Sequence, residues 1–69
     1  MPKGFRFRMG RLTFYYSVLT EDTDLGVGFD LDLIGVWFNN FSVSDRELDA
    51  INTEGVYDLA VNKFQKEYL

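Results

Sequence analysis

The sequence predicts an α+β fold: a small antiparallel sheet of about three strands, followed by one or two helices packed on one face. Three observations carry this expectation. Apolar and polar residues alternate through the first half, most clearly from Leu25 to Leu33. The tetrad Ser44-Asp45-Arg46-Glu47 has the form of a helix-capping box. Beyond it, apolar residues recur at helical spacing as far as Tyr68.

The elements follow in order. Phe5, Phe7 and Met9 share one side of an extended chain and Arg6 and Arg8 the other, the period of a strand with one apolar face. Gly10 interrupts it as a bulge or a tight turn. Leu12 to Leu19 is rich in aromatic and β-branched residues that suit a pleated surface. Residues 5–19 therefore read as one bent strand or two short ones. Thr20-Glu21-Asp22-Thr23-Asp24 reads as a turn, because Asp and Thr side chains bond their own backbone and nothing here needs burying. Leu25, Val27, Phe29, Leu31 and Leu33 then alternate with Gly26, Gly28, Asp30 and Asp32. A helix here would carry two interior glycines at about 1 kcal/mol each, so a strand is expected. Gly26 and Gly28 mark a bulge or a close crossing of another element. Gly35 allows a bend before a third apolar strand, Val36-Trp37-Phe38, and Asn39-Asn40 is a turn candidate.

In the capping box, Ser44 starts a short helix whose stripe is Leu48 and Ile51 and which ends near Asn52-Thr53. Thr53-Glu54 then caps a second helix to about Tyr68, with a wide apolar stripe of Val56, Tyr57, Leu59, Ala60, Val61, Phe64 and Tyr68. Lys63 and Lys66 fall in its last turns, where they complement the negative end of the helix dipole. The alternative is one helix from 45 to 67 kinked near Gly55.

With 69 residues the chain is expected to be a single domain near the lower size limit for independent folding, with residues 1–3 disordered. Aromatic residues make up 17%, seven of them Phe, so large rings offset the small size. There is no Cys, which removes disulfides, thiolate metal sites and Cys catalysis, and favours a reducing, cytoplasmic setting. There is no His, which removes the commonest general base and metal ligand. Acids interrupt every apolar run before it reaches membrane-spanning length, and no apolar run of signal-peptide type follows the N-terminal basic residues.

Charge is unevenly distributed. Residues 1–19 hold Lys3, Arg6, Arg8 and Arg11 and no acid, whereas residues 20–62 hold ten acids and only Arg46. The net charge is −4.

Each candidate chemistry is weighed against a plainer reading. Paired carboxylates such as Asp22 with Asp24 would need a deep cleft to act as acid and base, and so short a chain does not build one; no enzyme is expected. The segment from Glu21 to Gly26 departs from a calcium loop, since the positions that need Gly and Glu hold Val27 and Leu33; no metal and no cofactor are expected. Gly26 and Gly28 lack the Lys and the following helix of a phosphate loop. Arg6, Arg8 and Arg11, interleaved with aromatic residues, have the chemistry of nucleic-acid contact, but the acidic body weighs against it. They read instead as the solvent face of a strand, with Arg6 and Arg8 lying across from the strand that carries Asp30 and Asp32. In that pairing Asp22, Asp24, Asp45 and Asp49 would outrank Asp30 and Asp32 at an interface. The acids could imitate a phosphate backbone, since Asp30 and Asp32 point to one face of a strand roughly 6.7 Å apart.

Short length, absence of His and Cys, ten acids in residues 20–62 and a ring-rich sheet together resemble the small phage-encoded inhibitors of host nucleic-acid enzymes, namely anti-CRISPR proteins and uracil-DNA glycosylase inhibitors. The stretch Ser42-Val43-Ser44-Asp45-Arg46-Glu47 is similar to a segment after the second strand in one group of glycosylase inhibitors. The resemblance implies a non-catalytic blocker of a DNA-binding enzyme, active in the host cytoplasm. The expected partner is a protein with a basic nucleic-acid-binding groove, bound through Asp22, Asp24, Asp30, Asp32, Asp45, Glu47 and Asp49; no direct nucleic acid and no membrane are expected, and the chain would be a monomer or homodimer. The alternative is an assembly module docking through exposed aromatics and the basic strand.

Overall fold

A computed structural model describes residues 2–23 and 26–68, the side chains of 21–23 and 26–27 excepted. Four antiparallel strands, β1 (Gly4–Met9), β2 (Leu12–Thr23), β3 (Gly26–Phe38) and β4 (Phe41–Ser42), form one meander in sequence order. Two helices follow, α1 (Asp45–Leu48) and α2 (Thr53–Tyr68). This is the α+β arrangement expected, with a fourth, two-residue strand added.

The turns form where the sequence supplies residues that accept a left-handed backbone. Gly10 turns β1 into β2 with φ of 63°, and Asn39 turns β3 into β4 with φ of 53°. The two ends are tied together by the Asn39 N–H, which donates to the Arg11 carbonyl at 3.0 Å.

Four local expectations are corrected. Residues 20–23 are not a turn but the end of β2, paired from Thr20–Phe29 to Thr23–Gly26. The polar residues there sit on a strand, and Asp24 lies outside the described residues. Gly26 and Gly28 pair regularly with Thr23 and Glu21 and mark no bulge. The bulge is at Ile34: Tyr15 pairs with Gly35 but Tyr16 pairs with Leu33, so one residue of β3 is extra. Val36-Trp37-Phe38 is thus the continuation of β3, and the buried positions change from odd (Leu31) to even (Val36) across the bulge. Finally, β1 pairs with β2, not with the strand of Asp30 and Asp32: Arg6 faces Tyr15 and Arg8 faces Thr13. Two-residue turns make sequence neighbours pair first, and the charge complementarity imagined across strands has no part in setting the order.

One face of the sheet packs on α2. Phe5, Phe14, Tyr16, Leu31 and Val36 meet Val56, Ala60 and Phe64, which recur every four residues on the helix. Phe64 is the centre of this core, with ring centroids 5.3 Å from Phe5, 4.7 Å from Phe29 and 4.8 Å from Tyr68. Ala60, fully buried, lets the helix backbone approach the sheet.

The helix boundaries are set by caps. The Ser44 hydroxyl accepts from the Glu47 N–H, as the N-cap of the expected box does, but the Glu47 carboxylate accepts from the Ser44 hydroxyl at 2.9 Å and not from its backbone N–H, so the N-cap half of the box forms. α1 stops at Leu48, so Ile51 lies beyond it. The cap of α2 is Asn52 rather than Thr53: its Oδ1 accepts from the Gly55 N–H at 3.1 Å. A Cβ on Gly55 would stand 2.7 Å from Asn52 Nδ2, so the glycine makes room for the cap.

Candidate functional site

Because β4 reaches only Trp37 and Phe38, most of β3 is an open sheet edge. Asp30 lies on that edge. Its Oδ1 accepts from the Leu31 N–H at 2.9 Å, which occupies a backbone donor that an edge would otherwise offer, and from the Tyr57 hydroxyl at 2.6 Å. Tyr57 thus reaches from α2 to the edge of the sheet. Donation to Asp30 raises the Tyr57 phenol above its ordinary value of 10.0, with burial and the charges of Asp30 and Asp58 adding and the Leu31 N–H opposing.

Beside this bond an open groove runs between β3 and the start of α2, lined by Tyr16, Leu33, Thr53, Glu54, Tyr57 and Asp58. Its floor is aromatic and aliphatic and its rim carries two carboxylates. Tyr16 is 2% exposed, and its hydroxyl has no hydrogen-bond partner among the described residues. Burial, and the neighbouring Tyr57, push its phenol above 10.0.

The structure divides the acids named from the sequence. Asp30 and Asp32 lie on β3, both exposed and, by alternation with buried Leu31, on the sheet face away from α2; only Asp30 reaches the groove, through Tyr57, and the groove's own acids are Glu54 and Asp58, which the sequence reasoning left out. Glu54 and Asp58 are one helical turn apart, and that spacing was the signal available for them. Asp45, Glu47 and Asp49 stand apart on and just after α1, all exposed, with Glu47 beside a second depression lined by Leu12, Phe38, Val43, Ala50 and Ile51. Asp24 and the side chain of Asp22 lie outside the described residues. Among the described residues no group of three or more acids is placed to hold a metal ion, and no helix is long and apolar enough to cross a membrane.

The basic residues collect elsewhere. Arg6, Arg8, Thr13, Tyr15 and Lys63 line one depression on the sheet side away from the core, and Arg8, Arg11, Thr13, Asn39, Asn40 and Phe41 line the next. Among the described residues the single ion pair is Lys63 with Glu67, at 3.8 Å on the helix surface. The arginines are therefore not neutralised by described acids.

No family model, curated protein or solved structure matches the chain.

Proposed function

We propose that this is a non-catalytic binding protein that blocks a nucleic-acid-binding machine by presenting an acidic edge to its cationic groove, as anti-CRISPR proteins or uracil-DNA glycosylase inhibitors do. The reading is carried by one observation. Asp30 and Asp32 lie on the open edge strand β3, Asp30 accepts from Tyr57 of α2, and the groove beside that bond carries Glu54 and Asp58 and no basic residue. These carboxylates are exposed and none is ion-paired among the described residues, which is what an imitation of a phosphate row needs. They also add up to a field of one sign over a surface that no strand covers.

Charge reversal tests this. Asp32→Lys with Asp58→Lys leaves the Asp30–Tyr57 bond intact. The double variant is expected to bind a purified host partner at least tenfold more weakly in ~50 mM salt, and duplex DNA is expected to compete with the wild type. Equal binding by the folded double variant would sink the reading.

A second reading, assembly through exposed rings, is favoured by the exposure of Ile34 (67%) and Phe41 (75%). It requires self-association that persists in high salt, which sedimentation at increasing concentration would detect.

A further inference from the structure

Among the described residues no helix or strand packs on the sheet face opposite α2. Its cross-strand rows follow from the register: Arg6, Tyr15 and Gly35 form one, and Arg8, Thr13, Trp37 and Ser42 form the next. A Cβ at Gly35 would meet nothing within 4 Å, so the space between Tyr15 and Trp37 is open. Tyr15, Ile34, Gly35 and Trp37 line a shallow depression there. It adjoins the two depressions that carry Arg6, Arg8 and Arg11, because Tyr15 is shared with one and Arg8 links that one to the other.

We infer that this face binds single-stranded nucleic acid, with Tyr15 and Trp37 stacking on bases across the open Gly35 and with Arg6, Arg8 and Arg11 on the phosphates. The chemistry is complementary at each point. Two arginines on alternate residues of one strand are about 6.7 Å apart, comparable to neighbouring phosphates along an extended chain. Rings on a bare sheet offer every base a stacking surface, and a duplex hides the base faces that such rings need. Among the described residues none of the three arginines is ion-paired to an acid, and Arg8 donates to the Gly10 carbonyl.

The net charge of −4 does not prevent this. Asp32 faces Ser17, which faces Gly4, two residues along β1 from Arg6. Two strand spacings and two residues place Asp32 about 12 Å from the Arg6 position. Asp30 lies two residues beyond Asp32 on the same strand. Both distances exceed the Debye length of about 8 Å at physiological salt, where the two acids are largely screened; in about 20 mM salt they act on the face and lower an affinity that Asp32→Asn restores. Asp30 and Asp32 project onto the same face at its other end, so the inference concerns the end that carries Arg6, Arg8, Tyr15 and Trp37 and does not depend on the proposed acidic function.

Trp37 is the only tryptophan, so it reports on its own site. Titration of the full chain with the 12-mers dU12 and U12, which differ in the sugar alone, in about 20 mM salt is expected to quench its fluorescence, with a steep loss of affinity as salt rises. Arg6→Ser with Arg8→Ser should weaken binding at least tenfold while circular dichroism stays native. Asp32→Asn should improve affinity. Comparable quenching by both 12-mers would assign the face to single strands of either sugar, and quenching by one alone would name the sugar. Tyr15→Ala, followed by anisotropy of a labelled 12-mer, checks the stacking by a route that does not need Trp37. Three results would overturn the inference: no quenching at low salt, quenching that survives the double arginine variant, or equal affinity for poly-glutamate of matched charge. A dimer in which Trp37 is already covered, and its emission insensitive to the 12-mers, would overturn it too.

Discussion

Two tyrosines in contact make opposite use of their hydroxyls. The Tyr57 hydroxyl donates to a carboxylate, while the Tyr16 hydroxyl, in a ring 6.5 Å away centroid to centroid, is buried without a partner among the described residues. A buried, unsatisfied polar group costs roughly 1–3 kcal/mol, so Tyr16→Phe is expected to stabilise the protein by about 1 kcal/mol, read from the urea midpoint. A loss of stability would mean that the hydroxyl has a partner. Tyr57→Phe should instead cost about 1 kcal/mol, the lower end for a bond to a charged group because the pair is open to water. The pH dependence follows from the direction of the shifts. Both phenols titrate higher in the folded state than when unfolded, so their contribution is complete below pH 10.0 and is lost as pH rises through the folded values. Unfolding at fixed urea should therefore grow steeply above about pH 10 in the wild type and less steeply in Tyr57→Phe.

At the scale of elements, the start of α2 couples a cap to a glycine. Asn52→Ala should cost about 1 kcal/mol by removing the acceptor of the Gly55 N–H. Gly55→Ala improves helix propensity by about 1 kcal/mol but drives a methyl into the Asn52 amide, so the two effects nearly cancel in the wild type. In the Asn52→Ala background nothing opposes the propensity term, and the same substitution should stabilise by about 1 kcal/mol. Additivity of the two changes in thermal unfolding would contradict this coupling. These elements also show what the sequence makes legible. The alternation of β1, the Ser44 cap and the helical spacing of α2 are local patterns that form where expected, whereas β3 runs on past Gly35 to Phe38 and only Val56, Ala60 and Phe64 of the wide stripe are buried. The bulge was visible as a change of parity between Leu31 and Val36, but Gly35 suggested only a bend. The ends of β2 and the partner of β1 depend on pairing between strands, which one strand's pattern does not encode. The same limit applies to the site: Asp30 and Asp32 are neighbours by alternation, whereas the bond from Tyr57 to Asp30 exists only once α2 has crossed the sheet.

For the whole molecule, the charges are sorted rather than matched. Acids gather on the β3 edge and the helix starts, arginines gather on β1 and its turn, and the one described ion pair, Lys63–Glu67, is exposed and worth little. A molecule arranged this way has repulsion to lose and almost no attraction to lose when salt screens it. Its melting temperature should therefore rise between about 0.02 and 0.5 M NaCl, where the Debye length falls from roughly 20 Å to a few ångströms. An ion-paired protein of the same composition would show the reverse. The neutralising changes Asp32→Asn and Asp58→Asn should each raise stability in low salt by a few tenths of a kcal/mol, and the gain should vanish in high salt. Both residues belong to the edge assigned to the partner, so the variants that stabilise the protein should also be the ones that bind its partner less well. Arg6→Ser with Arg8→Ser provides the contrast. With Tyr15 and Thr13 opposite rather than acids, this change should move the melting temperature little, within about 0.5 kcal/mol. If it instead destabilises strongly at low salt and harmlessly at high salt, the arginines are neutralising the acidic edge after all, and the two faces cannot be treated as independent.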